Sequence, residues 1–502
     1  MILKNVLKDI DFVADEKLLG EDVKGIEIDS RKVKSGDVFV ALVGEKSDGN
    51  QFISQALTSG AVAVVTDSKN VKGKNIVYVS SARKAYSVMC KNFFDRCCDK
   101  LKIVAVTGTN GKTTTTSLIA EILRYNNIKT GLIGTLGAGE DKDSLVDTGF
   151  TTPDPFILHK LFKQMYDDGC KWVIMEASAH ALILDKLEGI TFEMGVLTNI
   201  TEDHLDYFCD MQTYANAKMK LFESGRVKLG IICGDDNLSV EKSTLSQVPT
   251  IFYGTKDFND VKASNIKSTF EGSSFDCNYL GKTQKIETSL VGNYNIQNAL
   301  ASIAVTRSLG LDENQVYRGV KTLNMVEGRF NVIKINTGKK QTNVVIDYAH
   351  TPDGLENVLK TAKSLSNAPL VVVFGCGGNR DKLKRPIMGE IASKYADYVV
   401  LTSDNPRYEN PLDIIGQIKQ GVKGECEVIE NRSQAIRETI NKFDDGQTIV
   451  IAGKGAEKYQ EIKGEKVPFN DFNEVQKAVF EKTKKQFDHS NDFDFLTKNL
   501  EK

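Results

Sequence analysis

The sequence predicts an α/β protein of three domains: a central doubly wound parallel sheet carrying a P-loop, flanked by two smaller α/β domains. Three observations carry this. Short β-branched runs alternate with helix-length amphipathic segments along most of the chain, the pattern of a parallel sheet covered on both faces. At 502 residues the chain is too long for one hydrophobic core, and roughly three domains is the natural division. Residues 103–119, IVAVTGTNGKTTTTSLI, read as strand, glycine loop and helix in that order.

Charge and composition narrow the function. Lysine and arginine number 65 against 67 acids, so the net charge of −2 leaves no electrostatic footprint for nucleic acid or an anionic membrane surface. No run is long and apolar enough to span a bilayer. The N-terminus, MILKNVLKDIDFVADEK, carries acids early and lacks a signal peptide's apolar centre. The nine cysteines show no CxxC spacing, which argues against zinc and disulfide frameworks. A cytoplasmic monomer acting on small molecules is the expectation.

The first unit spans residues 1–98. Ile26 and Ile28 alternate with charged residues, VFVALVG (38–44) and AVAVVTD (61–67) read as strands, and QFISQALTSG (51–60) and 82–98 as helices. The second unit, 99–329, continues through strands KTGLIGT (129–135), KWVIMEAS (171–178), MGVLTNI (194–200) and LGIICG (229–234). Helices are expected over 154–168, 211–224, 294–309 and 312–323, with a β-hairpin insert over 260–291. The third unit, 330–486, has strands at 343–349, 369–375, 398–404, 425–430 and 447–453 and a last helix near 473–485. Residues 487–502 read as a polar tail.

The chemistry starts at the glycine loop. Backbone N–H groups across Gly108, Thr109, Asn110, Gly111 and Thr114, at a helix N-terminus, suit phosphate oxygens. Lys112 can reach the β- and γ-phosphates, and the Thr113 hydroxyl can ligate Mg²⁺. Val106 stands where the usual pattern has its first glycine.

In an open α/β sheet, ligands bind beyond the carboxyl ends of the strands. Glu176 and Ser178 end one strand, and Asn199 ends the next, followed by Thr201, Glu202, Asp203, His204 and Asp206. A carboxylate and an imidazole there can hold a second divalent cation, Mg²⁺ or Mn²⁺ rather than zinc. His204 alone would read as a loop histidine, yet His180, His204 and His350 each follow a strand aimed at one cleft. Lys218 lies beside the apolar face of its helix and, by spacing, reads equally as a snorkelling surface lysine. In the third unit the basic loop GCGGNRDKLKRP (375–386), the turn Ser403-Asp404-Asn405-Pro406-Arg407 and the loop Gly453-Lys454-Gly455 follow three strands. Any one of these fits an ordinary turn. Together on one rim they suit a zwitterionic amino acid.

These residues resemble the ATP-dependent Mur ligases and the related folylpolyglutamate synthases. AVTGTNGKTT, TTPDP (151–155), MEASAHAL (175–182), NITEDHLDYF (199–208), YANAKMKLF (214–222), GNYNIQNALA (292–301), EGRF (327–330), DYAHTPD (347–353), TSDNPR and AGKGAEKYQ (452–460) occur in the order of the diaminopimelate-adding branch. The resemblance covers all three units and implies the site. Ser30 would hold the UDP part of the substrate, and Thr151, Thr152, Ser178 and Lys186 the muramoyl-dipeptide. Thr113, Glu176 and His204 would serve Mg²⁺, and Lys218 would be N-carboxylated by CO₂. Asn293, Arg329 and Asp347 would contact the adenine, phosphate and ribose of ATP. Arg380, Asp404, Asn405, Pro406, Arg407, Gly453 and Glu457 would bind the diamino acid. Ala179, Leu184, Lys186, Asn379 and Ala456 depart from the family's usual residues.

The resemblance implies ATP-dependent addition of diaminopimelate to the γ-carboxylate of D-Glu in UDP-MurNAc-L-Ala-D-Glu, for peptidoglycan precursor synthesis. A lysine-adding or folylpolyglutamate enzyme is the alternative within that chemistry. A P-loop switch that makes no bond is the alternative outside it.

Overall fold

A computed structural model describes residues 1–44, 47–141, 144–244, 246–323, 325–336 and 340–489. The N-terminal domain holds β1 (Phe12–Val13), β2 (Gly25–Glu27), β3 (Asp37–Val40), β4 (Ala63–Thr66) and β5 (Ile76–Val79) in the order β1-β5-β4-β3-β2. All pair in parallel except β1. The helix expected over 82–98 covers only Ala82–Phe93. Asp95 and Arg96 then turn left-handed, with φ of 58° and 53°, and Cys97–Asp99 is a separate 3₁₀ turn. Arg96 closes that turn on Asp99 at 3.0 Å.

The central domain is built on ten strands: β6 (Lys102–Thr107), β7 (Thr130–Gly134), β8 (Gly137–Gly139), β9 (Trp172–Glu176), β10 (Phe192–Leu197), β11 (Val227–Cys233), β12 (Thr250–Gly254), β13 (Val261–Thr269), β14 (Gly272–Tyr279) and β15 (Lys282–Thr288). Their order is β15-β14-β13-β12-β11-β10-β6-β9-β7-β8. Strand β6 is flanked on both sides, and alternation along it divides the core. Val104 and Val106 face helices Lys112–Tyr125 and Asn293–Ser308; Ile103 and Ala105 face helices Pro155–Asp167 and Met211–Met219. The insert expected as a hairpin is a three-stranded antiparallel extension, β13-β14-β15, joined in parallel to β12. Phe275, Cys277 and Ile286 bury one face of it, so the third strand has a core to cover.

The C-terminal domain carries β16 (Asn331–Ile335), β17 (Thr342–Asp347), β18 (Leu370–Phe374), β19 (Tyr398–Leu401), β20 (Glu427–Val428) and β21 (Thr448–Ala452), ordered β16-β17-β21-β18-β19-β20. The antiparallel edge strand β16 and a hairpin of β22 (Tyr459–Ile462) and β23 (Glu465–Pro468) add to the expected set. Helix Asp471–His489 extends beyond the expected 485 and takes in the start of the expected tail; residues 490–502 lie outside the described residues. No helix among the described residues is long and apolar enough to cross a membrane.

Hydrogen bonds tie the domains together. Tyr86 Oη donates to Asp154 Oδ1 at 2.5 Å, and Lys91 Nζ donates to the Gly189 carbonyl at 2.7 Å, joining the first domain to the second. Asn110 Nδ2 donates to Asp353 Oδ2 at 2.8 Å, joining the second to the third.

Candidate active site

A cleft of about 520 Å³ opens where the carboxyl ends of β6, β9 and β10 face those of β17, β18, β19 and β21. Two open sheets therefore present their ligand-binding ends to one space.

The glycine loop forms its floor. Gly108 has φ of 142° and supplies the first left-handed residue; Val106 is still inside β6, buried and paired with Glu176 and Val196. That is why a β-branched residue fits where the usual pattern has glycine. Gly111 has φ of 88°, and a Cβ there would stand 2.5 Å from Asn298 Oδ1. Helix Lys112–Tyr125 starts immediately afterwards. Lys112 Nζ donates to the carbonyls of Gly108 (2.9 Å) and Thr109 (2.8 Å), and the desolvation of its ammonium lowers its pKa.

Glu176, Asp203 and His204 line the side of the cleft beyond β9 and β10. Glu176 is buried; its Oε1 accepts from Thr135 N at 2.8 Å and its Oε2 from Thr135 Oγ1 at 3.2 Å. His204 sits at φ of 55° with Nε2 3.3 Å from Asp203 Oδ2. Burial pushes the His204 imidazole well below its ordinary pKa against the opposing Asp203, so it is neutral at pH 7. Burial raises the Asp203 carboxyl, but His204, His350, Lys384 and Lys112 outweigh it and hold it low. His350 places Nδ1 3.0 Å from the Tyr348 carbonyl, which only a ring N–H can satisfy. Burial pushes its pKa down to about 4.

At the boundary between the central and C-terminal domains, Arg329 stacks over the Tyr348 ring at 4.3 Å and donates to Thr113 Oγ1 at 3.4 Å. Asp347 ends β17; Phe330 N donates to its Oδ2 and Ala349 N to its Oδ1, both at 2.7 Å. Arg380, Asp404, Asn405, Arg407, Gly453 and Glu457 line the opposite wall. Asn405 Nδ2 donates to Glu457 Oε2 at 2.9 Å, and the fully buried Lys454 donates to Asn405 Oδ1 (2.9 Å) and Glu457 Oε2 (2.7 Å). Gly378 has no space for a side chain, since a Cβ would meet the Pro406 carbonyl oxygen at 2.0 Å. Gly375 and Gly378 of GCGGNR thus let two loops pack backbone to backbone, since a Cβ on Gly375 would likewise meet the Thr402 carbonyl oxygen at 2.2 Å.

The other expected site residues are placed as follows. Thr151 lines the cleft. Thr152 accepts from Ser178 N at 3.0 Å and donates to the Glu176 carbonyl at 2.9 Å, pinning the 151–155 loop to the end of β9. Pro406 is buried behind Asn405 and Arg407. Lys186 holds its Nζ 5.2 Å from the Phe150 ring, away from the cleft wall. Ser30 lies in the N-terminal domain, where its Oγ donates to Gln55 Oε1 at 2.9 Å. Asn293 is exposed at the start of its helix and does not line the cleft; Tyr294, Gln297 and Asn298 do. Lys218 is no snorkelling surface lysine. It is buried, with Nζ 4.1 Å from the Tyr214 ring centroid, and desolvation depresses its pKa strongly.

Asp203, Asn298, His350, Asp353 and Lys384 also line the cleft. Their signal lay in motifs already quoted, Asn298 six residues after Gly292 and Asp353 at the end of DYAHTPD. Lys384 belongs to the basic loop 375–386, and its Nζ reaches 4.0 Å from Asp203 of another domain.

Among the described residues no three His, Cys, Asp or Glu side chains are grouped to hold a metal by themselves. Mg²⁺ is ordinarily held by one or two protein oxygens with substrate phosphates and water. The Thr113 hydroxyl and Glu176 carboxylate, both on the loop side of the cleft, are the donor chemistry that mode requires.

Three family models cover the three domains: "Mur ligase family, catalytic domain" matches residues 22–90, "Mur ligase middle domain" 106–306, and "Mur ligase, glutamate ligase domain" 328–455. The chain belongs to the Mur ligase family. This Mur ligase is 41% identical to UDP-N-acetylmuramoyl-L-alanyl-D-glutamate–2,6-diaminopimelate ligase 1 of Clostridium acetobutylicum over 478 residues, 95% of this chain and 98% of that one. The corresponding ligase of Aquifex aeolicus is 40% identical over 91% of this chain and 94% of its own. A solved structure of a ligase of that name aligns with a TM-score of 0.69 at 32% identity, covering 96% of this chain and 99% of that one. MurF of Thermotoga maritima in complex with ADP shares the fold, with a TM-score of 0.61 at 18% identity over 94% and 100% of the two chains.

Proposed function

We propose that this Mur ligase is an ATP-dependent amide ligase that adds diaminopimelate to the γ-carboxylate of D-Glu in UDP-MurNAc-L-Ala-D-Glu. The observation that carries this reading is the shared cleft: Lys112 and Glu176 on one wall, Asp404, Asn405 and Arg407 on the other. A phosphate cradle facing an amino-acid subsite fits a ligase better than a nucleotide switch. Identity of about 40% along nearly the whole chain to ligases of that name supports the substrate assignment.

The chemistry follows from the residues. A carboxylate is a poor acyl donor to an amine, so it is first phosphorylated. A γ-carboxylate oxygen attacks the γ-phosphorus of ATP, the P–O bond to the β-phosphate breaks, and ADP leaves. Lys112 and Arg329 offset the charge gathering on the transferring phosphoryl group. The neutral diaminopimelate amine then attacks the acyl carbon, loses a proton, and phosphate departs with the C–O bond electrons to leave the amide. Thr113, Glu176 and His204 are the residues that would hold Mg²⁺, which would supply further charge neutralisation at the phosphates. Burial disfavours the Lys218 ammonium, and its free amine adds to CO₂ with loss of a proton, leaving a carbamate anion beside this site. Arg407 receives the distal carboxylate that diaminopimelate has and lysine lacks. Residues of the second and third domains share the work, so their closure excludes water from the acyl phosphate. A soluble monomer with ATP, Mg²⁺ and small-molecule substrates as its partners, working in the cytoplasm, completes the reading.

The test is ADP release with each substrate omitted in turn. The reading expects release that requires both UDP-MurNAc-L-Ala-D-Glu and diaminopimelate, with one amide formed per ADP. ADP release that needs neither acceptor would refute it.

A further inference from the structure

Behind the cleft wall stands a carboxylate to which the ligase reading assigns no role. Glu461, on β22, accepts from Arg407 Nε at 2.9 Å. It does not line the cleft, whereas Arg407 does. The hairpin that carries Glu461 is bonded to the 404–407 turn along its length. Gln460 Nε2 donates to the Asp404 carbonyl (2.8 Å), Glu461 N to Asn405 Oδ1 (3.0 Å), Arg407 N to the Glu461 carbonyl (2.9 Å) and Lys463 N to the Arg407 carbonyl (2.6 Å). Arg407 itself is left-handed at φ of 51°, a conformation that a non-glycine residue holds only when its surroundings enforce it.

The guanidinium is therefore constrained on two of its edges. Nε is taken by Glu461, and Nη1 donates to the Gly378 carbonyl at 2.8 Å. Gly377 permits this, because a Cβ there would stand 3.0 Å from Nη1. One hydrogen on Nη1 and both on Nη2 remain, and one from each nitrogen forms the end-on edge that binds a carboxylate through two parallel hydrogen bonds. With Nε unoccupied, a carboxylate could also bind side-on through Nε and Nη2, in a different place and orientation.

We propose that Glu461 is a positioning residue that sets amino-acid specificity, holding Arg407 so that only its end-on edge meets the distal carboxylate of the incoming diamino acid. This rests on the ligase reading above. Two effects of Glu461 oppose each other. Its charge repels a substrate carboxylate, and its hydrogen bond orients the arginine that attracts one. The orienting effect dominates, because the bidentate geometry is lost without it, while the repulsion acts from behind the guanidinium.

The experiment measures steady-state kinetics of wild type, Glu461→Ala and Glu461→Gln with diaminopimelate and with lysine. Glu461→Ala is expected to raise KM for diaminopimelate roughly tenfold, the loss of one charge-assisted orienting contact. It leaves kcat within about twofold and leaves the KM values for ATP and the UDP-dipeptide unchanged. Slow turnover of lysine, which has no distal carboxylate, stays at the wild-type rate. Glu461→Gln keeps an acceptor for Nε and restores the KM for diaminopimelate. An unchanged or lowered KM in Glu461→Ala overturns the proposal, and so does an equal loss with lysine or a parallel loss in both variants. Wild-type enzyme that fails to use diaminopimelate at all refutes the ligase reading instead, so the two failures are distinguishable.

Discussion

Asn110 in the phosphate loop and Asp353 at the start of helix Pro352–Leu365 are hydrogen-bonded across the boundary between two domains, Nδ2 to Oδ2 at 2.8 Å. Asp353 also accepts from Thr201 Oγ1 at 3.4 Å and from Asn357 Nδ2 at 3.1 Å. One carboxylate thus couples the phosphate loop and the segment after β10 to the C-terminal domain. Asp353→Ala is expected to loosen the closed arrangement, lowering kcat/KM for ATP by roughly tenfold with little change in thermal stability. Steady-state kinetics alongside small-angle scattering checks this; a scattering profile and kcat/KM equal to wild type would contradict it.

Lys218 carries a second prediction. Its burial disfavours the ammonium, which is the condition for reaction with CO₂. Activity is expected to fall in CO₂-depleted buffer and return with bicarbonate, and Lys218→Ala to lose activity about a thousandfold or more while folding normally. Mass spectrometry at neutral pH should find the increment of one CO₂ on the peptide carrying Lys218.

Asp347 gives a pH signature. Burial raises its carboxyl to about 6, against the opposing pull of Arg329 and the N–H groups of Phe330 and Ala349. The folded state therefore holds this proton more tightly than the unfolded chain. Its contribution to stability is full below about pH 4 and is lost as pH rises through about 6, a change of order 3 kcal/mol. Asp347→Asn removes the titration. Denaturant unfolding of both proteins from pH 4 to 7 should show wild-type stability falling relative to the variant across that window.

The loops that carry Arg380 and Arg407 rest on an ion pair whose guanidinium is buried. Arg385 is fully buried and donates to Glu409 twice, from Nη1 to Oε2 at 2.9 Å and from Nη2 to Oε1 at 3.0 Å, and from Nη1 to Gln417 Oε1 at 2.7 Å. Glu409→Ala leaves that guanidinium without its carboxylate and is expected to cost roughly 3 kcal/mol of stability, read by urea unfolding. Affinity for the diamino acid should fall with it, since Glu409 also accepts from the Asn379 backbone N–H beside Arg380.

The parts of this fold that bury apolar residues on both faces were readable from residue order alone. Val104 and Val106 against Ile103 and Ala105 make a continuous β-branched run, and such runs mark every central strand of the parallel sheets. The hairpin β22–β23 was not readable. All four residues of β23 are exposed, so no hydrophobic period marks it, and its place comes from backbone bonds to Arg407 and Lys458. The break after Phe93 was hidden for a related reason: Asp95 and Arg96 turn left-handed without a glycine to announce it. At the site, the loop residues Lys112 and Thr113 follow from spacing. The burial of Lys218 and the approach of Lys384 to Asp203 depend on how separate elements pack, which local sequence does not encode.

The central claim is that this cleft joins a specific diamino acid to an activated γ-carboxylate. The most direct measurement supplies ATP, Mg²⁺ and UDP-MurNAc-L-Ala-D-Glu with equal diaminopimelate and lysine in one vessel, and identifies the product by mass. The predicted result is the diaminopimelate tripeptide in large excess, with Arg407→Ala erasing the preference. A lysine tripeptide, or ADP formed without any tripeptide, would contradict it.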